Sequence, residues 1–356
     1  MKNKNILLST IYRADNYGAV FQAYSLYCLL QNNNKNKVYI LNDSPKKISQ
    51  QFTALRTHSY KSILKDSLRY FPRAKMIKKF KTFIIQNFNE ITLDKISNVN
   101  FDLCVTGSDQ VWNPNIISIN GELLSNYFFE GMDTKKIAFS ASLGSYRYDT
   151  KQLIKFKELT KSYSCITVRE QDTAIYLQNE INREVYNTLD PTLIQHDDFW
   201  PKITDNSFTN KDYILVYYNN STKELTNTVN RIKKELNLPV IVINNWHNKK
   251  IDSDIYIKDA GPIDFLNAFK NAKYVITNTF HGVCFSINFK KNFLYIENGV
   301  HSNRMNSLLS KIDGLHKIIE SNNDTKNLIH KLEQSISYEK LDNEKKSSIK
   351  ILSEYI

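Results

Sequence analysis

Residues 274–296, YVITNTFHGVCFSINFKKNFLYI, decide the fold. The apolar run Tyr274–Thr277 predicts a buried strand, Gly282–Phe289 a helix and Phe293–Ile296 a second buried strand. A strand, a helix and a strand in close succession are typical of a parallel sheet with crossover helices. Ligands bind beyond the carboxyl ends of strands in such sheets, so the polar loop that contains His281 is a candidate site.

The same alternation of strands and helices extends over both halves of the chain. In the second half it predicts strands over Tyr213–Tyr218 and Val240–Ile243 and helices over Lys223–Glu235 and Ile263–Asn271. In the first half the predicted strands are 6–11, 38–41, 101–106, 136–140 and 166–168, and the predicted helices are 18–31 and 171–179. We therefore predict an α/β protein of two Rossmann-like domains that face a cleft.

The length of 356 residues also favours two domains, because single hydrophobic cores stop growing at about 250–300 residues. Leu189-Asp190-Pro191-Thr192 and the polar stretch 195–211 interrupt the alternation. We place an N-terminal domain at 1–200, with a basic helical insert at 56–90, and a C-terminal domain at 201–321. A charged helical tail at 322–356 is expected to pack back across the first domain.

Composition excludes several classes of protein. With 41% hydrophobic and 24% charged residues, the chain has the usage of a globular domain and lacks any apolar run of the ~18 residues that a membrane helix needs. The first apolar run, Ile6–Ile11, is too short for a signal peptide and predicts a buried strand. The four cysteines are far apart and form no C-x-x-C pair, which favours free thiols in a reducing cytoplasm over structural zinc.

The net charge of +12 favours anionic partners, and the basic residues are dense in one segment. Residues 56–81 contain nine basic residues and one acid, interleaved with aromatic and aliphatic ones. One interpretation is a solvated helical pair that covers a sheet edge. The other is a surface for anionic lipid headgroups or a lipid-diphosphate-linked acceptor, which would place the protein peripherally at the inner face of the cell membrane. Without a recognised module, nucleic acid is not an expected partner.

Two junctions between strand and helix in the first half carry polar residues. At 15–19 (DNYGA), Asn16 can cap a helix and Gly18 permits a tight turn, which ordinary helix initiation would also explain. At 107–113 (GSDQVWN), capping explains one polar residue but not the whole set. A Trp beside carboxylate and amide groups is typical of a sugar site. Neither junction matches G-x-G-x-x-G or a P-loop, so no dinucleotide fingerprint is present.

Two further junctions carry charge. Arg169 follows a strand and could bind a carboxylate or phosphate with both ends of its guanidinium, although a surface pair with Glu170 or Asp172 is the alternative. His281 lies between a strand and an apolar helix, and its near-neutral reference pKa suits proton transfer. Arg304, about twenty residues later, could supply a second anion contact.

Seven motifs in order carry a resemblance to a known family. They are NYGAVFQAY (16–24), GSDQVWN (107–113), K-x-A-F-S-A-S-x-G (136–144), VRE (168–170), LDPT (189–192), T-x-T-F-H-G (277–282) and N-R-x-x-x-L-L (303–309). Together they resemble the polysaccharide pyruvyl transferase family. The resemblance implies a fold of the GT-B type, phosphoenolpyruvate as donor, and a pyruvate ketal that bridges two hydroxyls of a capsule or exopolysaccharide sugar.

The resemblance also implies roles for individual residues. His281 looks like the active-site histidine of an S-F-H-G motif in which Thr279 replaces the serine, and Arg169 looks like the donor-binding arginine. The expected catalytic residues are His281, with Asp109 or Asp15 as the base for the sugar hydroxyl. The expected donor-binding residues are Arg169, Arg304, Thr279 and Gly282. The expected acceptor-binding residues are Asn16, Tyr17, Gly18, Ser108, Gln110, Trp112 and Asn113.

Two other functions stay open at this point. The first is a GT-B glycosyltransferase that uses a nucleotide sugar, with Glu297 where such enzymes often place a ribose-binding carboxylate. The second is a non-catalytic relative that binds a glycan. The expected partner is a free or lipid-linked sugar acceptor. We expect no metal and no cofactor, with phosphoenolpyruvate as the co-substrate.

Overall fold

The computed structural model describes residues 3–56, 60–67, 69–205, 208, 212–243, 251–297, 302–320 and 324–356. Residues 57–59 and 68 of the basic segment, and 206, 207 and 209–211 of the polar stretch, lie outside the described residues. The chain divides into an N-terminal unit (Met1–Ser59, Lys81–Gln195 and Asn343–Ile356) and a C-terminal unit (Tyr60–Phe80 and His196–Asp342).

The N-terminal unit contains a seven-stranded parallel sheet. Its strands are β1 (Asn5–Ser9), β2 (Lys37–Leu41), β3 (Glu90–Ile91), β4 (Leu103–Thr106), β5 (Lys136–Ala141), β6 (Tyr163–Val168) and β7 (Tyr186–Asn187). They are ordered β3-β2-β1-β4-β5-β6-β7. Ile6, Leu7 and Leu8 of β1, an interior strand of the sheet, are fully buried, as continuous apolar strands in parallel sheets are expected to be.

The C-terminal unit contains a six-stranded parallel sheet. Its strands are β8 (Ile214–Tyr217), β9 (Val240–Ile243), β10 (Ile255–Ile257), β11 (Tyr274–Thr277), β12 (Asn292–Ile296) and β13 (Ile318–Ile319). They are ordered β10-β9-β8-β11-β12-β13. The predicted α/β fold, with a parallel sheet in each half of the chain, is confirmed.

Helices connect the strands in both units. They are α1 (Tyr17–Gln31), α2 (Lys46–Ser49), α3 (Tyr60–Ser67), α4 (Tyr70–Asn87), α5 (Pro114–Ile117), α6 (Thr150–Thr160), α7 (Gln171–Ile181), α8 (Pro191–Ile194), α9 (Phe199–Ile203), α10 (Lys223–Leu236), α11 (Pro262–Asn271), α12 (Phe280–Asn288), α13 (Ser302–Lys311), α14 (Thr325–Glu333) and α15 (Tyr338–Ser353). Within the described part of the chain, every helix is too short or too polar to cross a membrane.

One segment groups differently from the domain boundaries that the sequence suggested, whereas the end of the tail groups with the domain against which it was expected to pack. Tyr60–Phe80, assigned to an insert of the first domain, belongs to the C-terminal unit, where Lys75 pairs with Asp259 (2.5 Å) and Lys79 with Asp264 (2.7 Å). The end of the predicted tail, Asn343–Ile356, belongs to the N-terminal unit. These long-range ion pairs are invisible in local sequence patterns, which explains the difference.

Candidate functional site

The loop between β11 and α12 is built around a helix cap. The Thr279 hydroxyl accepts a hydrogen bond from the Gly282 N–H (2.9 Å), and it lies 3.0 Å from the Thr277 hydroxyl. The Thr277 hydroxyl in turn donates to the Tyr217 carbonyl (2.5 Å). A Cβ added at Gly282 would lie 2.1 Å from Thr277 Oγ1, so only glycine fits under this cap. Thr279 and Gly282 therefore satisfy each other's polar groups and have a structural role, and their assignment as donor ligands stays a prediction.

His281 and Arg304 both lie next to the ring of Phe280 in the C-terminal unit. The half-buried imidazole of His281 lies edge-on to Phe280, with ring centroids 5.2 Å apart. The guanidinium carbon of Arg304, on α13, lies 5.8 Å from the centroid of the same ring. Arg304 is buried, and an arginine held over an aromatic face is restricted in orientation. Phe280, which the sequence analysis did not single out, thus contacts both predicted residues.

Tyr295, near the end of β12, lies close enough to Arg304 to feel its charge. Tyr295 is buried, and its hydroxyl has no hydrogen-bond partner among the residues that the structure describes. Burial raises the pKa of Tyr295 to about 12, the charge of Glu297 adds to the rise, and Arg304 opposes it. Tyr295 therefore stays protonated at neutral pH and keeps a hydroxyl proton that it can donate. Sequence reasoning missed Tyr295 because it reads as one more apolar strand residue.

Arg169, at the end of β6, bridges two carboxylates in the N-terminal unit. Its Nη1 lies 2.5 Å from Asp190 Oδ2 and its Nη2 lies 3.0 Å from Asp109 Oδ1. Burial lowers the pKa of the guanidinium, but the charges of Asp190, Asp109 and Glu170 outweigh it and hold the pKa above its usual range. The side chain is only 1% exposed and both ends of the guanidinium contact carboxylates, while its predicted contact with a donor phosphate or carboxylate stays a prediction.

Asp190 anchors this arrangement. Its carboxylate accepts from the Thr192 N–H (2.9 Å) and hydroxyl (2.7 Å) as well as from Arg169. This carboxylate caps α8 and is fully buried, with its charge balanced by Arg169. The LDPT motif was visible in the sequence, but nothing local to it indicated that Asp190 would meet Arg169, 21 residues earlier.

Asp109 is the solvent-facing end of the arrangement. Its side chain is 15% exposed, and it directly follows the buried Ser108 at the end of the β4 segment. The backbone of Asp109 has φ of 73°, which is uncommon for a residue other than glycine and is associated with functional sites. One Asp109 oxygen is fixed by Arg169, so the orientation of the carboxylate is set.

Trp112 does not present a face to a sugar. The indole is completely buried, stacked on Phe128 (centroids 5.7 Å apart) and edge-on to Phe156 (5.1 Å). It fills the core of the N-terminal unit, so its predicted stacking role in acceptor binding is wrong. Asn113 is also largely buried, caps α5 and donates to Gln110 Oε1 (2.8 Å).

The side chains of the strand–helix junction at 15–19 differ in their exposure to solvent. Asn16 is exposed and caps α1 by accepting from the Ala19 N–H (3.3 Å), whereas Tyr17 and Gly18 are buried. Asp15 is half-buried. Of the predicted acceptor residues, Asn16 and Gln110 are accessible, while Tyr17, Gly18 and Ser108 are buried in the fold. Tyr17 entered the prediction only as part of its motif, and its side chain faces the core.

Comparison with known proteins identifies the family. The sequence model of the polysaccharide pyruvyl transferase family matches residues 16–299. The chain belongs to this family. The match includes both Asp109 with Arg169 and the His281 loop, and it ends before α13. No curated protein matches the chain.

Solved structures of UDP-N-acetylglucosamine 2-epimerases resemble this pyruvyl transferase family member in fold. The Methanocaldococcus jannaschii enzyme has a TM-score of 0.53 at 12% identity, with 98% of each chain covered. The Rickettsia bellii enzyme has a TM-score of 0.52 at 13% identity, covering 99% of this chain and 96% of that one. The Neisseria meningitidis enzyme, bound to UDP-GlcNAc, has a TM-score of 0.51 at 11% identity, with 99% of each covered. At these identities the likeness shows the GT-B-like fold alone.

The Thr279 cap gives a first testable expectation. We expect Thr279→Ala to lower the free energy of unfolding by about 1 kcal/mol, because the Gly282 N–H loses its acceptor. Thr279→Ser keeps the hydroxyl, so it should retain most of the stability. Urea unfolding of both variants measures the difference. Equal stability of Thr279→Ala and the native protein would contradict the capping role.

Proposed function

We propose that this protein transfers pyruvate from phosphoenolpyruvate to two hydroxyls of one sugar in a cell-surface polysaccharide or its precursor. The products are a pyruvate ketal and inorganic phosphate. Membership of the pyruvyl transferase family supports the reaction class. The observation that carries the assignment of residues is that His281 and Arg304 both lie next to Phe280, which brings an imidazole and a cation together.

In the proposed mechanism the C-terminal unit binds the donor. The Arg304 guanidinium pairs with the carboxylate or phosphate of phosphoenolpyruvate. Protonated His281 gives its proton to the methylene carbon, which generates an oxocarbenium-like centre at C2. The Tyr295 hydroxyl, protonated at neutral pH, is a further donor in the same region. No part of this proposal needs a metal, and no group of three or more potential ligands is found among the described residues.

Addition and elimination complete the reaction. One sugar hydroxyl adds to C2, the bond between C2 and the phosphate oxygen breaks, and the second hydroxyl adds to close the ketal. One hydroxyl proton restores His281 and the other leaves with phosphate, so the atoms and charges balance. Asp109 is our candidate for the base that takes the hydroxyl proton, because its carboxylate is partly exposed and oriented by Arg169. Asp15 is the second candidate.

Arg169 has an indirect role in this proposal. It neutralises Asp190 and fixes one oxygen of Asp109, leaving the other to face the substrate. Arg169 is therefore a positioning residue, in contrast to the donor-binding role that the resemblance implied. The N-terminal unit is assigned to the acceptor, with Asn16 and Gln110 as the accessible polar side chains.

Phosphate release from phosphoenolpyruvate tests the proposed function. We expect release only when a suitable acceptor from a panel of lipid-linked and soluble glycosides is present, and mass spectrometry should show pyruvate added to that acceptor with loss of water. Release of nucleotide from a nucleotide sugar, without phosphate release, would support a glycosyltransferase in its place. Glycan binding without turnover of either donor would support a non-catalytic relative.

A further inference from the structure

Four large apolar side chains are exposed between residues 60 and 71. Tyr60 is 93% exposed and Leu64 67%, and they are one turn apart on α3. Phe71 is 84% exposed and Tyr70 44%, both in the first turn of α4, with their ring centroids 5.8 Å apart. Single exposed apolar residues are common on proteins, but four in so short a segment indicate an interaction surface. We name these four residues the apolar patch.

Helix α4, which carries Tyr70 and Phe71 in its first turn, is anchored in the protein. Met76, Ile77 and Phe80 on α4 are buried. Lys75 and Lys79 pair with Asp259 and Asp264, as described above. Tyr70 and Phe71 are therefore presented at the start of a helix that buried side chains and ion pairs hold in the C-terminal unit.

The charge around the apolar patch is positive. Residues 60–81 contain eight Lys and Arg and one acid, and of the basic residues Arg73 is buried while Lys75 and Lys79 are paired with Asp259 and Asp264. That acid, Asp66, is buried and paired with Arg69 (2.8 Å), so it adds no negative charge to the surface. Lys78 and Lys81 are exposed, and Lys61 and Lys65 directly follow Tyr60 and Leu64 in the sequence. An anionic surface complements this distribution.

We propose that the apolar patch and its basic surroundings dock this protein onto an anionic lipid bilayer. Tyrosine and phenylalanine enter the boundary between headgroups and acyl chains, while lysines contact the headgroup phosphates. A second copy of the chain fits the patch less well, because like charges would face each other across the contact. This docking is independent of the proposed reaction, since none of its residues belongs to the candidate site. It would place the enzyme on the surface where lipid-linked sugars lie.

Vesicle flotation with the full chain tests the proposal. We expect the protein to float with vesicles that contain equal amounts of phosphatidylcholine and phosphatidylglycerol, and not with vesicles of pure phosphatidylcholine. It should dissociate from the anionic vesicles as the salt concentration is raised. The double variant Leu64→Ser, Phe71→Ser should bind at least about tenfold more weakly, because two exposed apolar anchors are lost. Ile154→Ser, which changes a 64% exposed residue of α6 in the N-terminal unit, is the matched control and should bind like the native protein.

A fluorescence measurement distinguishes insertion from loose attraction. In the variant Phe71→Trp, the emission of the new residue should shift to the blue when anionic vesicles are added, since the ring leaves water. Failure of the native protein to float, equal binding by the double variant, or equal binding to neutral vesicles would each overturn the proposal. Self-association that the double variant abolishes, without vesicle binding, would assign the patch to a second copy.

Discussion

His281→Ala is expected to lower kcat for ketal formation by roughly 10²–10⁴, the usual effect of removing one positioned acid–base group. The imidazole is half-buried beside Phe280 in the first turn of α12. The Thr279 cap that starts this helix does not involve the imidazole, so the helix should remain intact. We therefore expect the loss in kcat with little change in stability.

The measurement is the rate of acceptor-dependent phosphate release as a function of phosphoenolpyruvate concentration and pH. The matched control is His330→Ala, which removes an exposed histidine from α14 and should leave kcat and KM unchanged. If His281→Ala turned over at nearly the native rate, the assignment of His281 as the proton donor would be wrong. A raised KM with unchanged kcat would instead make His281 a binding residue.

The buried strands could be located from the sequence, some of them residue by residue, whereas β6 (Tyr163–Val168) was predicted only over 166–168. Val240–Ile243 and Tyr274–Thr277 were predicted with the bounds that the structure shows, because continuous apolar runs between polar stretches define them. The strands β3, β7, β10 and β13, of two or three residues, were missed because so few residues carry no periodicity. Helix α6 was missed although Asp149 and Gln152 form a capping box that a sequence can show.

The strand ends that carry the candidate residues could be located from the sequence, whereas the contacts of those residues could not. Parallel strands place polar residues at their carboxyl ends, which is why Asp109, Arg169 and His281 were found. Roles depend on which side chains converge from distant parts of the chain. Arg169 donates a hydrogen bond to Asp109, which lies 60 residues earlier in the chain. No local sequence pattern predicts that contact. The role of Trp112 could not be predicted for the same reason. A tryptophan can stack on a sugar or fill a hydrophobic core, and the packing of the folded chain determines which of the two it does.

The buried position of Arg169 leads to the second large expected effect. We expect Arg169→Met to lower the free energy of unfolding by about 3–5 kcal/mol, because the buried carboxylate of Asp190 loses its compensating charge. Urea unfolding measures this loss. Arg147→Met is the matched control, since it breaks a half-exposed pair with Asp172 and should cost no more than about 1 kcal/mol.

A double variant separates positioning from donor binding. Asp190→Asn added to Arg169→Met removes the uncompensated charge, so it should recover part of the lost stability. Catalysis should stay impaired in the double variant, because Asp109 has still lost the group that orients it. The opposite pattern, native stability of Arg169→Met with a raised KM for phosphoenolpyruvate, would mean that the guanidinium leaves its two carboxylates to bind the donor. A positioning role for Arg169 therefore predicts lost stability, and a donor-binding role predicts native stability with a raised KM. The same set of variants distinguishes the two roles.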